Sequence, residues 1–202
     1  MRVKLFLFVL FSCMWQSSFC QTEEPVKRTA FLEVLHNLPP AIGMHIPAGY
    51  LALDTTYGNL NMDSIPDLIL VVKSPAEDTA GFNREENRPL LILLGNADKS
   101  YKLAYRNDKV VFCITCGGLM GDPFEGVSIK NGYFTVEHYG GSAWRWTDYI
   151  TFKFNREDKR FYLHRRDVLS YHTSNPEKIE KTVTTKKDFG VVDFEKYEPA
   201  ER

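Results

Sequence analysis

The chain lacks several features that would place it in a familiar functional class. It has no excess of basic residues, with 25 lysines and arginines against 26 aspartates and glutamates in 202 residues. A nucleic-acid-binding protein needs a basic surface to displace counterions from phosphates, so the balanced charge predicts no nucleic-acid partner. No apolar run reaches the roughly 20 residues that a membrane-spanning helix needs, so we expect no transmembrane segment.

Residues 1–20 have the organisation of a secretory signal peptide. Two basic residues precede an apolar run at residues 5–11, which is too short to cross a bilayer. Two interpretations of the processing stay open: cleavage after Cys20, or a lipobox ending at Cys13 that would leave a lipid anchor. We favour the first, which makes residues 21–202 an exported chain in the periplasm or outside the cell.

Export changes the interpretation of the cysteines. After cleavage only Cys113 and Cys116 remain, and in an oxidising compartment such a close pair most often forms a disulfide. A metal site, a redox pair and unpaired thiols are the alternatives. A redox pair favours the start of a helix, whereas two glycines follow here. A zinc site needs four ligands, and no second Cys-x-x-Cys or matching histidine pair is present. We therefore predict a structural disulfide.

The sequence of the exported chain predicts one N-terminal helix followed by β-strands. The helix begins near Thr22 with acidic residues and a proline in its first turn, and Pro39-Pro40 ends it. Asn131-Gly132 between two strand-like runs predicts a type I′ hairpin. Strands joined by tight turns predict an antiparallel meander, so the fold class is mainly β (α+β), with residues 21–202 as one domain. The predicted strands are residues 68–72, 90–94, 101–105, 127–130, 133–136, 149–154, 160–164, 181–185 and 191–194. Residues 74–88 are polar and predict a solvated excursion.

One loop carries oxygen ligands at the spacing of a calcium site. Asn59, Asn61, Asp63 and Asp67 occupy positions 1, 3, 5 and 9, and Ile65 offers its carbonyl at position 7. Alternate residues of a tight loop can surround one hard cation. The alternative is a polar turn that satisfies its own hydrogen bonds, which asparagine and aspartate build readily.

The same loop, preceded by Gly58 and followed by an apolar strand, resembles the calcium loop of FG-GAP, integrin-α-like repeats. It departs from that pattern twice. Asn59 replaces a charged first ligand, and Ser64 replaces the glycine of the sharp turn, where a positive φ is costly for other residues. Both departures lower the expected calcium affinity, because affinity follows ligand charge and the shape of the site.

The resemblance extends to a family of exported bacterial proteins that carry a single FG-GAP-like loop. It implies export and a β-rich fold, and it supplies no catalytic residues. One such loop is too few for a seven-bladed propeller, whose blades need four strands each. The segments that carry the resemblance are residues 46–50, 58–72, 88–93, 121–126 and 138–142.

An aromatic segment supplies the second candidate site. Trp144 and Trp146 share one face of a predicted strand, and with Tyr139 they either complete the core or form a platform for a sugar ring or a protein. His138 precedes Tyr139, and Ser142 lies between Tyr139 and Trp144. Ser142 lacks the Gly-x-Ser-x-Gly context of a nucleophile. Carboxylates that could serve a glycosidase are Glu125, Glu137 and Asp148.

Two functional hypotheses follow. The first is an exported, non-enzymatic β-rich domain, stabilised by calcium, that binds a protein or glycan partner in the periplasm or at the cell surface. The second is a hydrolase of envelope polymers that uses His138 with a nearby carboxylate as its acid–base pair. We favour the first, because surface aromatics mark interfaces more often than reactions.

Overall fold

The computed structural model describes residues 38–79, 86 and 88–199. Within these ranges the chain forms two antiparallel sheets in which every strand pairs with its neighbour in sequence, which confirms the predicted mainly β fold and its meander topology. The first sheet contains β1 (Leu51–Gly58), β2 (Asp67–Lys73), β3 (Arg88–Gly95) and β4 (Tyr101–Val111). The second contains β5 (Phe124–Lys130), β6 (Tyr133–Gly141), β7 (Trp144–Asn155), β8 (Arg160–His172) and β9 (Asn175–Thr185). The predicted helix before Pro39 and the predicted signal peptide lie outside the described residues.

The two sheets share one apolar core. Ile69 and Ile92 contribute from the first sheet, and Phe134 and Phe152 from the second, all of them closed to solvent. The rings of Phe134 and Phe152 stack with centroids 5.1 Å apart, and Phe194 from the C-terminal segment meets both edge-on. These phenylalanines reach the core because β6 and β7 alternate between buried and solvent-facing positions, which turns every second side chain inward.

The opposite face of the first sheet is also covered, which explains the continuous apolar runs of β2 and β3. Leu68 and Leu91 belong to a second buried cluster on that face, closed by Ile42. Ile42 lies in a short helix, Pro40–Gly43, for which Pro39 is the N-cap. The prediction that Pro39-Pro40 ends a helix was therefore incomplete, because proline at the first helical position can also begin one.

The predicted Asn131-Gly132 hairpin is confirmed. Asn131 has φ 51° and Gly132 has φ 77°, the two positive values that a type I′ turn requires. Two predictions at the edges of the sheets were wrong or incomplete. The sequence did not predict β1, and residues 191–194 form a single bridge between Asp193 and Tyr162 rather than a strand.

The prediction of a fully solvated excursion over residues 74–88 was wrong at both ends. Glu77 lies in a 3-10 turn, Pro75–Thr79, and its buried carboxylate receives two hydrogen bonds from the Arg88 guanidinium, at 2.8 and 2.9 Å. Arg88 also donates to both oxygens of Asp122 and to the Phe112 carbonyl. Burial alone would lower the pKa of Arg88, but these ion pairs outweigh it and raise the pKa overall. The network ties β3 to the connection between the two sheets.

Across the described ranges, no helix combines the length and the apolarity needed to cross a membrane.

Candidate binding site

The 59–67 loop is held from inside by Asp67. This carboxylate is closed to solvent and accepts backbone N–H groups from Leu60 at 2.8 Å, Asn61 at 3.2 Å and Gly95 at 3.0 Å. Burial raises the pKa of Asp67, and the three backbone hydrogen bonds offset part of that rise. Asp67 therefore joins the loop to the end of β3, while the buried Leu60 side chain anchors the loop in the shared core.

The outer part of the loop is a network of Asx turns. Asp63 accepts hydrogen bonds from the Ile65 backbone at 2.7 Å and from the Asn61 side chain at 2.7 Å, while Asn61 accepts the Asp63 backbone N–H. The Asn59 side chain donates to the Asp63 carbonyl. The left-handed residue of this turn is Met62, with φ 63°, so the expectation that Ser64 occupies the strained position is corrected.

The arrangement divides the predicted calcium ligands into two groups. Asn59 and Asp63 are exposed and Asn61 is half-buried, whereas Asp67 faces the amides of the loop and of β3. A calcium ion would have to be held by the outer oxygens and the Ile65 carbonyl. In the described part of the chain, no three or more histidine, cysteine, aspartate or glutamate side chains are grouped around a cation position.

The loop contacts the tip of the β5–β6 hairpin. The Gly132 N–H donates to the Asn59 carbonyl at 3.3 Å, and the Gly132 carbonyl accepts from the Phe154 N–H at 2.8 Å. Met62 lies directly over Gly132, where a β-carbon would be 2.8 Å from its sulfur. Two elements that the sequence predicted separately thus form one end of the molecule.

An open cleft of about 800 Å³ lies at this end. Its walls are the Asn131-Gly132 turn, the β7–β8 turn at Arg156, the outer face of the second sheet and Met62. Its volume is in the range of small-molecule sites. Sequence reasoning missed this cleft, because its lining residues are separated by more than a hundred positions along the chain.

The floor of the cleft carries a row of aromatic and basic side chains. Lys153 is the register partner of both Tyr133 and Tyr162, so the three lie side by side across β6, β7 and β8. The Lys153 ammonium lies 5.3 Å from the centre of the Tyr133 ring. His164, the extra residue of a β-bulge, meets the same ring edge-on at 5.1 Å. Partial burial, followed by the charges of Lys153 and Arg165, lowers the pKa of His164, which favours the neutral form of its ring.

A second cleft of about 680 Å³ adjoins the first. The two clefts share Met62, Phe154 and Arg156, and the second is also lined by Asn61 and Asp63 from the predicted calcium loop. We call the two clefts together the basic groove, because five basic and three acidic side chains line it. The basic ones are Lys102, Lys153, Arg156, Lys159 and Lys186, and the acidic ones are Asp63, Glu157 and Asp158.

The histidine of the hydrolase hypothesis lies in the interior. His138 is closed to solvent, stacks on Phe112 with ring centroids 3.8 Å apart and accepts the Phe112 N–H at 3.2 Å. Its register partner is Asp148, which is 1% exposed and is held by Arg166 at 2.7 and 3.0 Å. A general acid or base must reach its substrate. This arrangement holds the strand interior together and offers no surface to a polymer.

The three aromatic residues of the predicted binding surface lie on two faces of the sheet. Trp146 is opposite Gly140, packs against the shared core and meets Phe112 edge-on. Trp144 shares that face but is 53% exposed. Tyr139 alternates with Gly140 and so points to the other face, where its hydroxyl forms a hydrogen bond with that of Tyr171; this bond, then partial burial, raises the pKa of Tyr139. The three therefore do not form one platform.

The Cys113–Cys116 disulfide is present, as predicted, with Cα atoms 5.1 Å apart. It closes a turn between β4 and β5 in which the Cys116 N–H donates to the Cys113 carbonyl. The following Gly117 carbonyl accepts the Gly141 N–H at 2.8 Å, which attaches this connection to the end of β6. The bridge thus rigidifies the link between the two sheets.

Comparison of the chain with protein-family models, with curated proteins and with solved structures finds no match.

Proposed function

We propose that this is an exported, non-enzymatic β-rich binding domain that holds a protein or glycan partner in the periplasm or at the cell surface. The observation that carries the proposal is the open cleft of about 800 Å³ beside Tyr133 and Lys153. It offers aromatic, amide and cationic groups to a ligand. The buried positions of His138 and Asp148 favour binding over the hydrolase alternative, since both would need exposure to transfer protons to a polymer.

Calcium has a supporting place in this proposal. The outer oxygens of the 59–67 loop belong to Asn61 and Asp63, which also line the second cleft. An ion held there would stiffen the loop against the Asn131-Gly132 turn and would add positive charge next to the groove. The resemblance to the exported FG-GAP-like family supports the same role.

Co-sedimentation of the purified protein with envelope fragments tests the proposal. The fragments are used untreated, after protease digestion, which removes proteins, or after periodate oxidation, which destroys sugar rings. We expect retention by untreated fragments, with loss after one of the two treatments identifying a protein or a glycan partner. The protein should not release sugar fragments with reducing ends into solution over time, because a binding domain does not hydrolyse glycosidic bonds. Absence of retention from all three preparations would overturn the binding function, and accumulation of reducing ends would replace it with the hydrolase alternative.

A further inference from the structure

We infer that the basic groove binds an acidic polysaccharide, one whose sugar units carry carboxylate or sulfate groups. The inference rests on the proposed binding function and names its ligand class. Its basis is the combination of cations without carboxylate partners, aromatic rings and amide groups in two adjoining clefts that share Met62, Phe154 and Arg156.

The charge of the groove differs from that of the chain as a whole. Basic side chains exceed acidic ones in its lining, whereas in the full sequence they number 25 against 26. Lys153 and Arg156 form no ion pair within the described residues. Other arginines of the same sheet are neutralised, as Arg165 is by Asp167 and Arg166 by Asp148. The groove therefore keeps cations available for an anionic ligand.

The remaining groups of the groove suit a sugar better than a peptide. A protein partner is usually anchored by a large apolar side chain in a dry pocket. Here the apolar residues Met62 and Val191 are exposed and stand among tyrosines, amides and charged groups in an open cleft. Tyr133 offers an aromatic ring at the surface, and Asn131 and Asn155 offer amide donors and acceptors for hydroxyls. The ring of His164, which lies edge-on to Tyr133 beside Lys153, adds two further ring nitrogens for hydrogen bonds.

The length of the groove indicates a polymer rather than a single sugar. The two clefts, of about 800 and 680 Å³, share Met62, Phe154 and Arg156 in their lining, so a ligand long enough to occupy both would lie against Arg156. A guanidinium at that junction can bind an acidic group with two parallel hydrogen bonds. Arg156 is therefore the residue that we expect to contribute most to affinity.

Titration calorimetry tests the inference with polygalacturonate, dextran sulfate and neutral dextran as probes. We expect binding to one or both acidic polymers, weakened by added salt, and none to neutral dextran. Lys153→Gln and Arg156→Gln should each weaken binding by about tenfold or more, because a charge-assisted hydrogen bond contributes roughly that factor. Lys178→Gln on exposed β9 removes the same charge away from the groove and should leave affinity unchanged.

The outcomes separate the ligand class from the proposed function. Equal losses of affinity for Lys153→Gln and Lys178→Gln would show that the polymer is attracted by the positive charges of the chain in general. That result would overturn the groove as the binding site. Binding to neutral dextran alone, or protease-sensitive retention by envelope fragments without binding to the acidic polymers, would overturn the ligand class and leave a binding domain. Failure to bind the polymers and the fragments would overturn both. Melting curves confirm that each variant is folded.

Discussion

The sulfur of Met62 lies so close to Gly132 that a β-carbon at Gly132 would be 2.8 Å from it. This contact joins the 59–67 loop of the first sheet to the hairpin tip of the second, and both residues line the larger cleft. The shape of the candidate site therefore depends on a glycine that has no chemical role of its own.

Gly132→Ala should destabilise the protein by about 2 kcal/mol, because a positive φ costs an alanine roughly 1 kcal/mol and Met62 must also move. Gly190→Ala is the matched control: its φ of 75° is nearly the same, but nothing lies within 4 Å. Denaturation in urea measures both. Equal costs for the two substitutions would show that Met62 moves away freely, and Met62→Ala should remove the difference between them.

Arg88→Met should destabilise the protein by about 3 kcal/mol, because the buried Glu77 carboxylate loses both of its guanidinium hydrogen bonds and keeps only the Lys73 ammonium, 3.9 Å away. Adding Glu77→Gln should recover part of this loss, because the second change removes the buried charge. Lys109→Met breaks the exposed ion pair with Glu198 and should cost no more than about 1 kcal/mol. A small effect of Arg88→Met would mean that Lys73, together with entering water, compensates the Glu77 charge.

Replacing both Cys113 and Cys116 by serine should lower the free energy of unfolding by about 2 kcal/mol. The effect is modest because the bridge closes a very short loop, and loop-closure entropy grows with loop length. Urea denaturation of the native protein, of the native protein with reductant and of the double variant measures it. The native protein without reductant should be the most stable, and the reduced protein and the double variant should have equal midpoints. Equal urea midpoints for all three samples would show that the bridge is not formed in solution.

The buried Asp54 carboxyl should cause the free energy of unfolding to increase as the pH falls. Burial raises the pKa of Asp54, and backbone hydrogen bonds from Thr55 and Val127 offset the rise only in part. The folded state therefore binds the proton more tightly than the unfolded state, and the stabilisation is lost as the pH rises through the raised pKa. Asp54→Asn should stabilise the protein at neutral pH and have less effect in acid.

Asp98 provides a control of opposite sign. Hydrogen bonds from Ser100 lower the pKa of Asp98, so its ionised form is favoured in the folded state and Asp98→Asn should not stabilise the protein at neutral pH. Thermal melting across pH 3 to 8, roughly the window in which carboxylates titrate, measures both variants. A loss of stability on Asp54→Asn at neutral pH would contradict the argument.

The calcium prediction is tested by melting the protein in calcium and in chelator. An ion at about 100 times its Kd should stabilise the folded state by about 2.7 kcal/mol, and Asp63→Ala should abolish this gain. Asp67→Asn should destabilise the protein in both solutions, because its carboxylate holds three backbone amides. If calcium and chelator give the same melting temperature in the native protein, the loop is the self-hydrogen-bonded turn alone.

The sequence by itself determined the local structure where one strong physical constraint acts on neighbouring residues. Asn131-Gly132 predicted its turn because few residues accept two positive φ values, and the nearby Cys113 and Cys116 predicted their disulfide. The uninterrupted apolar runs of β2 and β3 indicated strands buried on both faces. Each of these signals is contained in a short stretch of chain, which is why it could be recognised without a partner.

Only the tertiary structure decided which distant residues meet. Arg88 looked like one end of a polar excursion, yet Glu77 and Asp122 converge on it; the two tryptophans looked like partners of Tyr139, yet strand alternation places Tyr139 on the opposite face. The basic groove forms because Met62, Gly132 and Arg156, which lie in three different connections between strands, come together. Pairing in a sheet depends on register and on the packing of two sheets, and those interactions are non-local, so no window of the sequence contains them.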